Sequence, residues 1–169
     1  VSELSFEELL GACVSSAEHL ELRDLYIADS PAYRAWCDGQ KVDGAKEYED
    51  WFDLVKKTVA RGVQVRRVRV INEPVSDYIK FEHSITTSLN IAAGERVRWL
   101  VRQAAEGLLL PANDLWILDG TRVRFGFFSA DGDYLGSKIV DDADVVDACV
   151  RSFEDAWTRG TNHEDYTPR

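Results

Sequence analysis

LWILDGTRVRFGFFSADGDYLGSKIV, residues 115–140, is the stretch whose reading decides the fold. Its runs are rich in β-branched and aromatic residues, and they are parted at Asp119-Gly120 and Asp131-Gly132. Aspartate-glycine pairs suit tight hairpin turns because the central turn residues need positive φ, so three antiparallel strands are predicted. An amphipathic helix follows, with Val145, Val146, Cys149, Val150, Phe153 and Trp157 on its core face and an i, i+4 ladder of Asp147, Arg151 and Asp155 outside. The acids Asp141, Asp142 and Asp144 fall at its N-terminus, where carboxylates offset the helix dipole; that role, and not a metal site, is expected of them.

Upstream, strands alternate with helices. Glu47, Glu49 and Asp50 open a helix, Lys56, Lys57 and Arg61 close it, and Tyr48, Trp51, Phe52, Val55 and Val59 form its apolar stripe before a Gly62 cap. In the strand from Val63 to Ile71, Val63 and Val65 alternate in one phase and Val68 and Val70 in the other. Such a strand either bulges near Arg66-Arg67 or is covered on both faces. A helix is predicted from Pro74, burying Val75, Tyr78, Ile79, Ile85 and Leu89 and ending at Gly94, before a strand from Arg96 to Arg102. Leu108 to Pro111 then reads as a short apolar connection into the hairpins. At the start, Ser5 and Glu8 have capping-box spacing ahead of Phe6, Leu9, Leu10, Cys13 and Ala17, so the chain opens with a helix. A weaker strand signal covers Leu20 to Ile27, and residues 28–46 read as a loop with a short helix around Tyr33 and Trp36. The expected fold is α/β: a mixed sheet, parallel where the Val63 and Val97 strands join through the Pro74 helix and antiparallel after Leu115, with flanking helices. Residues 1–160 form one domain and residues 161–169 a flexible tail.

With 169 residues and 45% hydrophobic content, the chain can bury a single substantial core. It has no run of 18 apolar residues and no signal-peptide pattern, so a soluble, cytoplasmic protein without membrane contact is expected. Cys13, Cys37 and Cys149 form no ligand motif and read as free thiols; no metal or cofactor is expected. The net charge of −10 splits into −7 over residues 1–60, +4 over 61–102 and −7 over 103–169. Overall acidity opposes direct nucleic-acid binding, while the basic island leaves room for an anionic ligand or acidic partner.

The runs RGVQVRRVRVINEPVSDYIKFEH, AGERVRWL and LLLPANDLWILDG, with the ending SFEDAW, resemble an actinobacterial family of unknown function whose members are often encoded beside helix-turn-helix regulators. The likeness covers about two thirds of the chain, Trp51 to Trp157, and carries no catalytic motif. A more distant resemblance is to phospholipase-D-like half-domains, through Arg61 to Val65, Asp119-Gly120 and the pair Phe153 and Trp157. In that superfamily a nucleophilic histidine and a phosphate-binding lysine precede the aspartate by seven and five positions; here those positions hold Ala112 and Asp114. His83 lies on another element, and the asparagine expected past the next strand is replaced near Ser129. An acid in the lysine's place repels phosphate. The resemblance thus implies a half-domain without the catalytic motif, a pseudoenzyme.

Two sets of residues are candidate sites. Ser76, Lys80, His83 and Thr87 share one helical stripe, either a solvated face or an anion site, and Arg66, Arg67, Arg69, Arg96, Arg98 and Arg102 lie on two strands, divided between core pairing and one basic surface. Glu82 falls on the buried face of its helix, where a carboxylate needs a partner. Arg67 or Arg69 can supply one, making Glu82 a structural acid; the alternative is a pocket acid of shifted pKa. The leading functional expectation is a non-enzymatic regulatory or protein-interaction module working with a helix-turn-helix regulator. A sensor of an anionic, nucleotide-like ligand and a hydrolase of unusual phosphodiesterase-like chemistry are the alternatives.

Overall fold

The computed structural model describes residues 4–26 and 30–169. Seven strands form one sheet: β1 (Ser16–Glu21), β2 (Gln64–Ile71), β3 (Arg96–Val101), β4 (Asp114–Leu118), β5 (Arg122–Phe128), β6 (Tyr134–Val140) and β7 (Thr161–Asn162). Their order is β6-β5-β4-β1-β2-β3-β7. β1, β2 and β3 run parallel, β4, β5 and β6 form the antiparallel meander, and β7 pairs antiparallel to β3. The hairpin reading is met at its first turn, where Asp119 has φ 52° and Gly120 φ 63°, the two consecutive positive values of a type I′ turn. Asp119 also fastens the start of β1, because its carboxylate accepts hydrogen bonds from the backbone N–H groups of Val14, Ser15 and Ser16.

The longest helix, α6 (Ala143–Arg159), is capped by Asp142, whose side chain accepts from the Val145 N–H. Its Val146, Phe153, Ala156 and Trp157 pack on Leu20, Val68, Val70, Leu100, Leu115 and Ile117 from the central strands. On the opposite face lie α1 (Phe6–Gly11), α2 (Pro31–Cys37), α3 (Gly44–Glu47), α4 (Glu49–Ala60) and α5 (Asp77–Thr86), and α5 continues into a π-helical turn, Thr87–Ile91. There Leu9, Leu10 and Val55 cover Ala17, Val65 and Leu118, while Ile79 covers Ile71, Val97 and Trp99. The two phases of β2 therefore reflect burial on both faces. Its pairing with β1 and β3 runs without a bulge.

Three expectations are corrected. The helix after β2 starts at Asp77, not Pro74, because the Ser76 hydroxyl accepts from the Ile79 N–H as the cap; Pro74 follows a cis peptide in the preceding turn. β1 spans Ser16–Glu21 and not the Leu20 to Ile27 run, as the next N–H, that of Leu22, bonds the Asp114 carboxylate and leaves the ladder; Ile27 is outside the described residues. Residues 161–169 are docked and do not form a loose tail. Tyr166 is buried in a stack on Trp99, and Val75 N–H donates to the Arg169 carbonyl at 2.7 Å. Tyr166 and His163 supply apolar area that Trp99 would otherwise leave open, a reason invisible in a short polar sequence. All three cysteines are free, Cys13 and Cys149 buried and Cys37 exposed. No helix among the described residues is long and apolar enough to cross a membrane.

Candidate functional site

Arg67 and Arg69 alternate with Val68 and Val70 on β2, so the strand sends its valines toward α6 and these two guanidiniums toward α5. Both are buried. Arg67 donates from Nε to Glu95 and from Nη1 to Glu21, each at 2.6 Å; Arg69 donates from Nε to Glu21 at 2.6 Å and from Nη1 to the Thr86 hydroxyl at 2.7 Å. Glu82, one turn before Thr86 on α5, brings Oε1 to 3.7 Å from Arg69. Two arginines thus meet three glutamates in a desolvated layer. Burial opposes the charge on Glu21, but Arg67 and Arg69 outweigh it and hold its carboxyl below the ordinary range. Glu82 receives less compensation: burial, with repulsion from Glu21 working against Arg69, pushes its pKa up to about 7. It is both partnered to Arg69 and a pocket acid of shifted pKa.

Beside this layer is a cavity of about 320 Å³. Trp51, Trp116, Tyr48 and Tyr78 line it, and His19 stacks on Trp116 with ring centroids 4.1 Å apart. Burial, then the positive charge of Arg67, keeps the His19 ring neutral. The π turn delivers Asn90 to the same wall, where its Nδ2 donates to Glu95 at 2.6 Å. π-helical turns recur at functional positions because they displace one residue from the helical ladder. Three buried polar atoms on this wall, His19 Nδ1, Glu82 Oε2 and Asn90 Oδ1, have no hydrogen-bond partner among the described residues.

A second region is the corner that holds Ala112 and Asp114, the two positions singled out in the sequence ahead of Asp119. Ala112 and Asp114 line a cleft of about 120 Å³ with Arg23 and Phe128. Asp114 is buried; its carboxylate accepts from the Leu22 N–H at 3.1 Å and from the Tyr26 hydroxyl. Burial lifts its pKa to about 6 against the effect of Tyr26. Arg23 donates from Nη2 to the carbonyls of Ser129 and Ala130, at 2.5 and 3.3 Å, while its buried Nε has no hydrogen-bond partner among the described residues.

The remaining sequence candidates are not brought together with these. Arg66, on the α6 face, bonds Glu18 and Glu154, and Arg96 and Arg98 lie over the Trp157 ring at 5.2 and 4.4 Å. Arg102 donates to the Leu22 carbonyl, and Lys80 pairs with Asp77 at the surface. His83 donates from Nε2 to the Tyr166 carbonyl at 3.0 Å, the acceptor fixing that tautomer. It thereby holds the C-terminal segment to α5. Sequence reading passed over His19, Glu21, Asn90, Glu95 and Trp116. The only signal was the alternation of His19 and Glu21 with Leu20, which puts two polar side chains on the face of β1 that carries Ala17.

The seven-stranded mixed sheet with helices on both faces is similar in fold to a phospholipase D family member. Nuc, a phospholipase D family member from Salmonella typhimurium, superposes with TM-score 0.53 at 13% identity, over 92% of this chain and 86% of that one. TrmBL2, an archaeal chromatin protein described as binding DNA in a novel mode, superposes with TM-score 0.51 at 14% identity, over 91% of this chain and 47% of that one. No curated protein matches in sequence. The chain belongs to the family DUF6879, a domain of unknown function, whose model matches residues 4–168.

Proposed function

We propose that this domain is a non-hydrolytic recognition module, a regulatory domain on a phospholipase-D-like fold that lacks that fold's catalytic pair. The observation that carries this reading is Asp114. In the lysine's position it places a buried carboxylate, sealed by Tyr26, where incoming phosphate needs a cation, and Ala112 offers no nucleophile. Arg23, the nearby cation, is already bonded to two carbonyls. The regulatory part is supported by the likeness to about half of a chromatin protein and by the resemblance to domains encoded beside helix-turn-helix regulators. Such a regulator is the expected partner. With a net charge of −10, this domain leaves nucleic-acid contact to that partner.

Purified protein incubated with bis(p-nitrophenyl) phosphate and supercoiled plasmid is expected to give no turnover above a mock preparation. Turnover that survives ion exchange and disappears in Asp114→Ala or His83→Ala overturns the non-hydrolytic reading. Tagged protein expressed in its source cell is expected to co-purify with a helix-turn-helix protein. Recovery of the tagged chain without one removes the partner assignment.

A further inference from the structure

The cavity beside α5 has a definite chemical demand. Of its three unpartnered atoms, Asn90 Oδ1 and the ionised Glu82 Oε2 are acceptors, and His19 Nδ1 is one in the tautomer that carries its proton on Nε2. His19 Nδ1 is 3.6 Å from Glu21 Oε1, too far for a hydrogen bond. The adjacent guanidiniums do not meet this demand. Arg67 is committed to Glu21 and Glu95, and Arg69 to Glu21 and Thr86. Glu21, Glu82 and, behind the wall, Glu95 stand against Arg67, Arg69 and the edge residue Arg124, so the surroundings balance in charge when Glu82 is ionised and what the cavity lacks is hydrogen-bond donors. Arg124, half-buried at the cavity's edge, donates to the Tyr134 hydroxyl at 2.9 Å and lies over the Phe6 ring. An anion could reach Arg124 at the edge but would leave the buried acceptors bare. Arg67 already lies over the Trp51 and Trp116 rings, at 5.9 and 5.6 Å, so these walls offer flat apolar contact and the bare Glu82 oxygen supplies the preference for a positively charged donor.

We propose that this cavity binds an organic cation, a flat amine or amidinium of one or two rings, with its N–H groups on Glu82, His19 and Asn90 and its body against Trp51 and Trp116. A volume of about 320 Å³ sits at the small end of ligand pockets, which run from about 300 to 1,000 Å³. The charge on Glu82 governs affinity. Glu21, Arg67, Arg69 and His19 face it from the sheet, Tyr78 from its own helix and Tyr48 from the start of α4, and the charge of Asp114 on β4, itself raised to about 6, also lifts it; Glu82 is the cavity-lining group that titrates near neutrality. Binding therefore strengthens as pH rises through that range. This proposal goes beyond the non-hydrolytic reading, since absence of a ligand would not restore turnover and turnover would not fill the cavity.

The test is a titration with benzamidine, protonated throughout, against its isosteric anion benzoate, followed by two-dimensional amide and indole NMR. Benzamidine is expected to shift the Trp51 and Trp116 indole signals and leave Trp157, on the opposite face, unmoved. Its affinity should fall at least tenfold in Glu82→Gln and at least fivefold in the wild type between pH 8 and pH 5.5; the second comparison stands if the variant does not fold. Benzoate should not bind. Tighter binding of benzoate, shifts at Trp157 only, an affinity independent of pH, or no binding by a panel of aromatic amidines and amines overturns the proposal.

Discussion

Replacing Glu82 by glutamine should change how stability depends on pH, and the size of the effect follows from its surroundings. The carboxyl is buried, and burial together with Glu21 raises its pKa from 4.5 to about 7 despite Arg69. Below about pH 4.5 the folded and unfolded chains both hold the proton, and the group costs nothing. Between 4.5 and 7 the unfolded chain releases the proton while the folded one keeps it, so stability falls as pH rises; above 7 the loss is complete. At about 1.36 kcal/mol per pKa unit, the penalty at pH 8 is about 3 kcal/mol. Glutamine carries no such penalty and nearly the same shape. Relative to wild type, Glu82→Gln should therefore gain about 2.5 kcal/mol between pH 5 and pH 8, on top of a pH-independent offset from its different bond to Arg69. Asp114, raised to about 6, tilts both proteins in the same direction, so only the difference between them isolates Glu82. Urea denaturation at four pH values between 5 and 8, followed by tryptophan fluorescence, measures that difference. Parallel stability curves would refute the reasoning, because they would mean that Glu82 releases its proton at the same pH in both states.

Other substitutions probe the frame. Asp119→Ala removes the acceptor for three N–H groups at the start of β1 and should cost about 2–3 kcal/mol by chemical denaturation; a cost under about 0.5 kcal/mol would show that water replaces those bonds. Arg98→Ala loses hydrogen bonds to the Trp157 carbonyl and to Asn162 as well as its place over the Trp157 ring, so about 1–2 kcal/mol should be lost. Exposed Arg96→Ala should cost under about 0.5 kcal/mol, and equal effects would contradict this division. Deleting residues 161–169 uncovers Trp99 and removes the acceptor of His83; the melting temperature should drop by several degrees, on the order expected for about 2 kcal/mol, and an unchanged value would make the docked segment dispensable.

Local chemistry determined much of the fold from sequence alone. Alternating β-branched runs around Asp119-Gly120 specify a hairpin wherever they occur, because the turn's positive φ values and the strand period are properties of consecutive residues. The stripe from Val146 to Trp157 specifies a helix for the same reason, and the two phases of β2 left a bulge or cover on both faces, between which the structure decided. Ala112 and Asp114 could likewise be read as the loss of a catalytic pair from their spacing to Asp119. The candidate cavity was legible only at Glu82 and its arginines, through the rule that a buried charge needs a partner. Its other members were decided by tertiary structure: His19 and Glu21 come from β1, Asn90 from the π turn and Trp116 from the meander. No short spacing links them, since parallel pairing of β1 with β2 sets His19 beside Arg67 and antiparallel pairing sets it beside Trp116. Strand register is a long-range property, fixed by which apolar faces the packed helices cover. The same holds for the final nine residues, whose polar sequence suggested a free end until the uncovered face of Trp99 gave Tyr166 a place to dock.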